Sequence, residues 1–206
     1  MSRAVIIGAA KIKNYKKVKS FLKNDDFFIF CDAGLNHQKK LKVKPDLIVG
    51  DFDSHRKVYS KVKVIELPVE KDDTDTFFAA KYAVKQGFTE VLLLGVIGER
   101  FDHSICNISV LIHLFKNNVK AFIVDDYSKM QIVSSKTVEV DKNCSFFSLM
   151  NVAGDVSGVY IENAKYPLQN ANINSDFMFG SGNSVLPNKK TTVRVENGIL
   201  LLLEIF

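Results

Sequence analysis

The 206-residue chain is 47% hydrophobic and 25% charged, enough apolar content for one large core or two small ones and too much for a disordered segment. Its formal charge of +5 comes almost wholly from lysine, since arginine occurs only at Arg3, Arg56, Arg100 and Arg194. Arginine is the usual reader of bases and phosphates, so this balance argues against a nucleic-acid partner and for solvated lysine faces. Cys31, Cys106 and Cys144 are odd in number, widely spaced and without a metal-ligand pattern, as expected in a reducing cytoplasm. No apolar run approaches a membrane span, and Met1-Ser2-Arg3 lacks a signal-peptide layout. A soluble cytoplasmic protein is the expectation.

Up to about Asp126, short apolar runs alternate with segments of helical period. Strands are predicted at 4–7, 27–31, 46–49, 62–67, 91–94 and 121–124. Their near-continuous Val, Ile, Leu and Phe suit a parallel sheet covered on both faces. Helices are predicted over 74–86, with Gly87 as the stop, and over 102–117, where Ile105, Ile108, Leu111, Ile112 and Phe115 mark a stripe. The alternation argues an α/β, doubly wound, mostly parallel sheet domain over 1–126. Beyond it the helical period stops. Short runs at 130–133, 137–140, 145–150, 156–161, 176–179, 191–195 and 199–205 predict a small all-β sandwich over 127–206. Asn197-Gly198 marks a tight hairpin between the last two runs.

Three acidic clusters close strand-like runs in the first half. They are Asp46 through Gly50-Asp51-Phe52-Asp53-Ser54, then Lys71-Asp72-Asp73-Thr74-Asp75, then Gly98-Glu99-Arg100-Phe101-Asp102-His103. Carboxylates gathered this way repel unless a cation joins them, and hard divalent ions share such oxygens with substrate phosphates. Asp51 and Asp53, at i and i+2 after a strand, can face one ion, although acids in strand-end turns also cap their own backbone. Part of the second cluster is helix capping, which needs only one or two of its acids. In the third, Gly95 and Gly98 permit close backbone approach and Arg100 offers a bidentate fork. Asp102 is either a helix cap or a ligand group, and His103 either a contact or a surface residue. A phosphate-binding Gly-Lys-Ser/Thr loop, a dinucleotide fingerprint, a nucleophile elbow and a zinc spacing are all absent.

Taken in order, these motifs resemble the thiamine pyrophosphokinase family. The resemblance includes Cys31-Asp32-Ala33-Gly34, the three clusters with Asn107, Tyr166-Pro167-Leu168, and the stretch from Gly180 to Asn183. It implies ATP-dependent, Mg²⁺-dependent transfer of pyrophosphate to the hydroxyl of thiamine, releasing AMP, by a homodimer. It further implies that Asp51, Asp53 and Asp75 hold the metal and, with Arg100, carry the chemistry. Asp32, Thr74, Asp75, Arg100, Asp102, His103 and Asn107 would contact ATP; Ser181, Asn183 and Asp46 would contact thiamine. The proton acceptor is Asp75 or Asp53. The chain departs from the family pattern at Glu99, where glycine is usual, and at Ser181-Gly182-Asn183, where Ser and Asn are usually adjacent. Without tryptophan, a ring stacked on thiamine must be Phe or Tyr, with Phe177 and Phe179 the candidates against an ordinary β-core role.

Other readings compete. A pyrophosphokinase of another alcohol, such as a hydroxymethylpterin, would use the same acids. A nucleotide-sugar glycosyltransferase explains Asp51 and Asp53 but not the other two clusters. A dehalogenase-type phosphatase wants Thr or Val where the chain has His55. A non-catalytic nucleotide sensor would bind ATP without turnover.

Overall fold

Four consecutive apolar residues, Ala4–Ile7, form β1, and all four are wholly buried, as in a strand covered on both faces. The computed structural model describes residues 3–51, 62–70 and 72–206. The chain divides into two units, Met1–Asp126 and Tyr127–Phe206.

In the first unit β1 is followed by α1 (Tyr15–Lys19), β2 (Phe27–Cys31), a 3-10 helix (Asp32–His37) and α2 (Gln38–Leu41). Then come β3 (Leu47–Gly50), β4 (Lys63–Glu66), α3 (Asp75–Lys85), β5 (Glu90–Leu94), α4 (Phe101–Lys116) and β6 (Lys120–Val124). The strands lie in the order β4-β3-β2-β1-β5-β6, and every pairing is parallel. Succession runs from β1 outward to β4, then returns to the other side of β1 for β5 and β6. Right-handed crossovers therefore put the two sets of connections on opposite faces, which is the doubly wound arrangement. The reversal opens a crevice outside the carboxyl ends of β1 and β5.

The helices follow from their sequences. Thr74 caps α3 by accepting from the Phe77 amide at 3.2 Å, and Asp75 sits in the first turn, where the helix dipole favours an acid. Ala79, Ala80 and Ala83 form a small, fully buried face that packs on the sheet at β1 and β2. Gly87, at φ 78°, follows the helix as expected. In α4 the cap position belongs to Arg100, not Asp102; the Ser104 hydroxyl holds the entry loop through Gly98 instead. At the amino rim, Arg3 forks onto Asp26 at 2.9 and 2.8 Å and reaches Glu90 at 3.4 Å, tying the starts of β1, β2 and β5 together.

The second unit holds β7 (Ser128–Val133), β8 (Val138–Glu139), β9 (Phe146–Asn151), β10 (Val156–Glu162), β11 (Leu168–Ile173), β12 (Thr192–Asn197) and β13 (Leu200–Ile205). Its strands form two antiparallel groups, β7-β13-β9 and β11-β10-β12-β8. Val133, Phe147, Leu149, Leu200 and Leu202 from one group meet Val156, Val159, Ile161, Val193 and Val195 from the other in a single core. Burying each such side chain stabilises by about 1.5–3 kcal/mol before chain entropy is counted. Gly198 takes φ 91° in the β12–β13 turn, which a side chain would strain. One expectation fails: 176–179 is not a strand, and the edge strand is instead β11, read as Leu-Gln-Asn-Ala-Asn-Ile. An edge strand packs on one side only, so its polar residues conceal it from a search for apolar runs.

Candidate functional site

Because β2, β3, β4 and β5 run parallel, the residues that follow them gather at one rim of the sheet. Asp32 follows β2, Asp51 follows β3, Thr74 and Asp75 open α3 after β4, and Arg100 and Asp102 open α4 after β5. A Cβ placed on Gly50 would lie 3.1 Å from the Asp32 Cβ, so the chain carrying Asp32 runs directly beside the residue preceding Asp51. Asp32 itself has φ 41°, a left-handed conformation that costs energy for any side chain and concentrates at functional positions. Asp73, just ahead of the Thr74 cap, pairs with Lys81 of α3 at 2.6 Å.

The floor of the crevice is made by two loops in direct contact. The Gly8 amide donates to the Leu94 carbonyl at 2.9 Å, and the Ala10 amide donates to the Gly95 carbonyl at 2.8 Å. Gly95, at φ 61°, leaves no room for a side chain: a Cβ there would stand 2.8 Å from the Gly8 carbonyl. A Cβ on Gly98 would come within 2.9 Å of the Ala10 Cβ. These glycines let loop approach loop, whatever they also offer a phosphate.

Arg100 is well exposed, its side chain 72% accessible, and its fork folds onto the neighbouring Asp102 with bonds of 3.0 and 2.7 Å. The Arg100 guanidinium holds the Asp102 carboxyl well below the usual carboxylate range. His103 stands beside them, exposed, with Nε2 4.0 Å from the Asp102 carboxylate. Asn107 is buried in α4 and donates to the Val96 carbonyl at 2.8 Å, fixing the loop that leads to Arg100.

Other expected residues fall elsewhere. Asp46 precedes β3, whereas Asp51 follows it, so the two lie at opposite ends of the strand. The Asp46 carboxylate accepts from the Phe28 amide at 2.8 Å and does not join the rim. Asp53 and Lys71 lie outside the described residues. In the second unit, Asn183 is buried and its amide is spent on backbone: it accepts from Tyr166 at 3.0 Å and Ser184 at 2.8 Å and donates to the Tyr166 carbonyl at 2.7 Å. That makes it the clamp of the Tyr166-Pro167 turn. Ser181 is exposed beside Gly182, whose amide donates to the Ser148 hydroxyl. Phe177 and Phe179 are not core residues; they are 67% and 41% exposed, with ring centroids 5.7 Å apart.

Three residues at the rim carried no local signal. Asp126 receives the Lys13 amide at 2.8 Å and the Asn14 amide at 2.7 Å, 112 or more positions away in sequence. Tyr15 and His37 join across 22 positions at 2.7 Å. Only the fold brings them together.

For a cation, Asp32, Asp51, Thr74 and Asp75 offer oxygen donors, the chemistry a hard divalent ion takes. Among the described residues no three acid, His or Cys side chains converge closely enough to form a metal cluster by themselves. No helix among them is long and apolar enough to cross a membrane.

Comparison with known proteins bears on both units. Residues 18–123 match the family model described as thiamin pyrophosphokinase, catalytic domain, and residues 130–200 match the thiamin pyrophosphokinase vitamin B1 binding domain. A relative from Bacillus subtilis, a thiamine pyrophosphokinase, is 26% identical over 162 residues, covering 75% of each chain. The fold resembles the crystal structure of a Bacillus subtilis thiamine pyrophosphokinase with a TM-score of 0.86, at 22% identity over 99% of both chains. It also resembles yeast thiamin pyrophosphokinase with a TM-score of 0.80, at 17% identity over 100% of this chain and 86% of that one. On the match across its first unit and most of its second, the chain belongs to the thiamin pyrophosphokinase family, a family of enzymes.

Proposed function

We propose that the protein transfers the pyrophosphoryl group of ATP to the hydroxyl of thiamine, giving thiamine diphosphate and AMP. The observation that carries this reading is the rim itself. Asp32, Asp51, Thr74, Asp75 and Arg100, scattered over nearly seventy positions, stand at the carboxyl ends of one parallel sheet, beside its strand-order reversal. The thiamine oxygen attacks the β-phosphorus while the bond from that phosphorus to the α-phosphate's bridging oxygen breaks, and AMP departs with that oxygen. The alcohol proton passes to a carboxylate, Asp75 or Asp53. Arg100 exchanges Asp102 for the phosphoryl oxygens, where its planar fork matches the developing charge.

Asp51 and Asp75, with Asp53, would hold Mg²⁺. When bound, the ion offsets charge on the phosphate oxygens. Thr74 and Asp102 belong to the ATP side in this reading, with Asp32, His103 and Asn107. The exposed Phe177 and Phe179 and the exposed Ser181 are the thiamine-side candidates in the second unit. A first domain for ATP and Mg²⁺ over 1–126, a second for thiamine over 127–206, a homodimer and a cytoplasmic location complete the proposal. Cys31, Cys106 and Cys144 form no disulfide with one another, consistent with that location.

Quantifying AMP released from ATP with thiamine, and separately with a hydroxymethylpterin, tests the assignment. Release with thiamine is expected; release with the pterin alone would replace the substrate. ATP binding without AMP release from either would mark a sensor.

A further inference from the structure

We infer that Tyr15 and His37 form a positioning pair that sets the nucleotide side of the crevice, a role that rests on the ATP-dependent reading above. His37 is the last residue of the 3-10 helix that begins at Asp32, and it is 6% exposed. Its Nε2 lies 3.0 Å from the Ala10 carbonyl and its Nδ1 lies 2.7 Å from the Tyr15 hydroxyl. A carbonyl only accepts, so Nε2 carries a proton; burial keeps the ring neutral, which leaves Nδ1 bare and the Tyr15 hydroxyl donating to it.

The order of contacts then runs in one direction. Tyr15, anchored at the start of α1, fixes the tautomer and ring plane of His37. His37 holds the carbonyl of Ala10, the amide of Ala10 donates to Gly95, and the Ala10 side chain meets the backbone of Gly98. Gly98 stands two residues before Arg100. A Cβ on Gly95 would also reach within 3.4 Å of His37 Nε2, so the imidazole fills the space at the bend of that loop. A ring that touches both loops at the strand-order reversal sets how far apart they stand, and a nucleotide seated there meets that spacing directly. Lys40, whose ammonium lies 5.3 Å from the centre of the Tyr15 ring, disfavours a positive charge on the imidazole. His37 does not touch the reacting atoms in this scheme; it acts through Ala10 and the loops.

The test combines kinetics with a spectroscopic signature. Tyr15→Phe removes one oxygen and leaves the ring; His37→Met removes both hydrogen bonds; His37→Gln returns an N–H where Nε2 stood. We expect Tyr15→Phe and His37→Met to raise the KM for ATP about 10- to 100-fold, with the KM for thiamine within about twofold, and His37→Gln to recover most of the loss. In the ¹⁵N-histidine spectrum of the wild-type protein, the signal missing from His37→Gln should show the Nε2–H neutral form. An unchanged KM for ATP in Tyr15→Phe, equal losses for both substrates, or an Nδ1–H signature overturns the pair. If the wild-type protein releases no AMP, the functional reading fails by itself. Equilibrium binding of Mg²⁺-ATP to wild type and Tyr15→Phe then takes the place of KM, and equal affinities sink the pair. If His37→Met does not fold, Tyr15→Phe and the spectrum decide the matter.

Discussion

At the scale of single residues, Asp51 illustrates how a four-residue strand assigns a role. It leaves β3 at the carboxyl end beside Asp32, whereas Asp46, equally acidic, enters at the amino end and bonds the Phe28 amide. Replacing Asp51 or Asp53 with Asn keeps size and removes charge, so turnover at saturating Mg²⁺ is expected to fall by about two orders of magnitude or more with an unaltered circular dichroism spectrum. Near-normal rates in both variants would move the metal elsewhere. Arg100→Lys should lose most of the turnover as well, because a point charge cannot copy a planar fork; steady-state kinetics with ATP varied will read it. His37 gives a pH prediction. Burial lowers its pKa, with Lys40 adding to the effect and the Ala10 carbonyl opposing it. The unfolded chain takes up the proton near 6.5 while the folded imidazole resists, so this contribution is present above 6.5 and lost as pH falls below it. Urea midpoints at pH 7.5 and 5 should decline less in His37→Gln than in the wild-type protein.

Elements were legible where period and punctuation agreed. β1 and β2 stand where their apolar runs predict, and α3 begins after Thr74 and ends before Gly87 because a hydroxyl cap and a glycine stop are written in the sequence. β11 was not legible, because its partner strand β10, not its own composition, makes it a strand. At the rim, Asp51 and Asp75 stood out as members of acidic clusters after strand-like runs, whereas Asp32 was named only through the family resemblance. Tyr15, His37 and Asp126 were not legible, since hydrogen bonds across 22 or 112 positions leave no trace in local spacing. The same logic explains Asn183, whose position was flagged but whose amide serves the Tyr166 turn. The β12–β13 hairpin supplies a stability test. Gly198 sits at φ 91° with the Val156 side chain 3.1 Å from where a Cβ would be, so Gly198→Ala should cost about 1–3 kcal/mol in urea denaturation. A neutral result would mean that the turn re-forms in another conformation.

For the molecule as a whole, the division of labour between the two units predicts how it responds to metal removal. The oxygen donors of the rim belong to the first unit, whereas the second unit is built around an apolar cluster of its own. EDTA should therefore abolish AMP release while leaving the thermal unfolding of the second unit's β-structure unchanged, and excess Mg²⁺ should restore the rate. An enzyme that kept its rate in EDTA would need no such ion.

The position of β1 has a consequence for how the protein is made. Its neighbours are β2, which follows within thirty residues, and β5, which begins at Glu90. During synthesis the side of β1 that awaits β5 stays an open edge of Ala, Val, Ile and Ile until more than eighty further residues have emerged. A ribosome that stalls between β4 and β5 leaves a nascent chain with a sticky, unfinished border and no crevice, making that interval the one in which chaperone capture matters most.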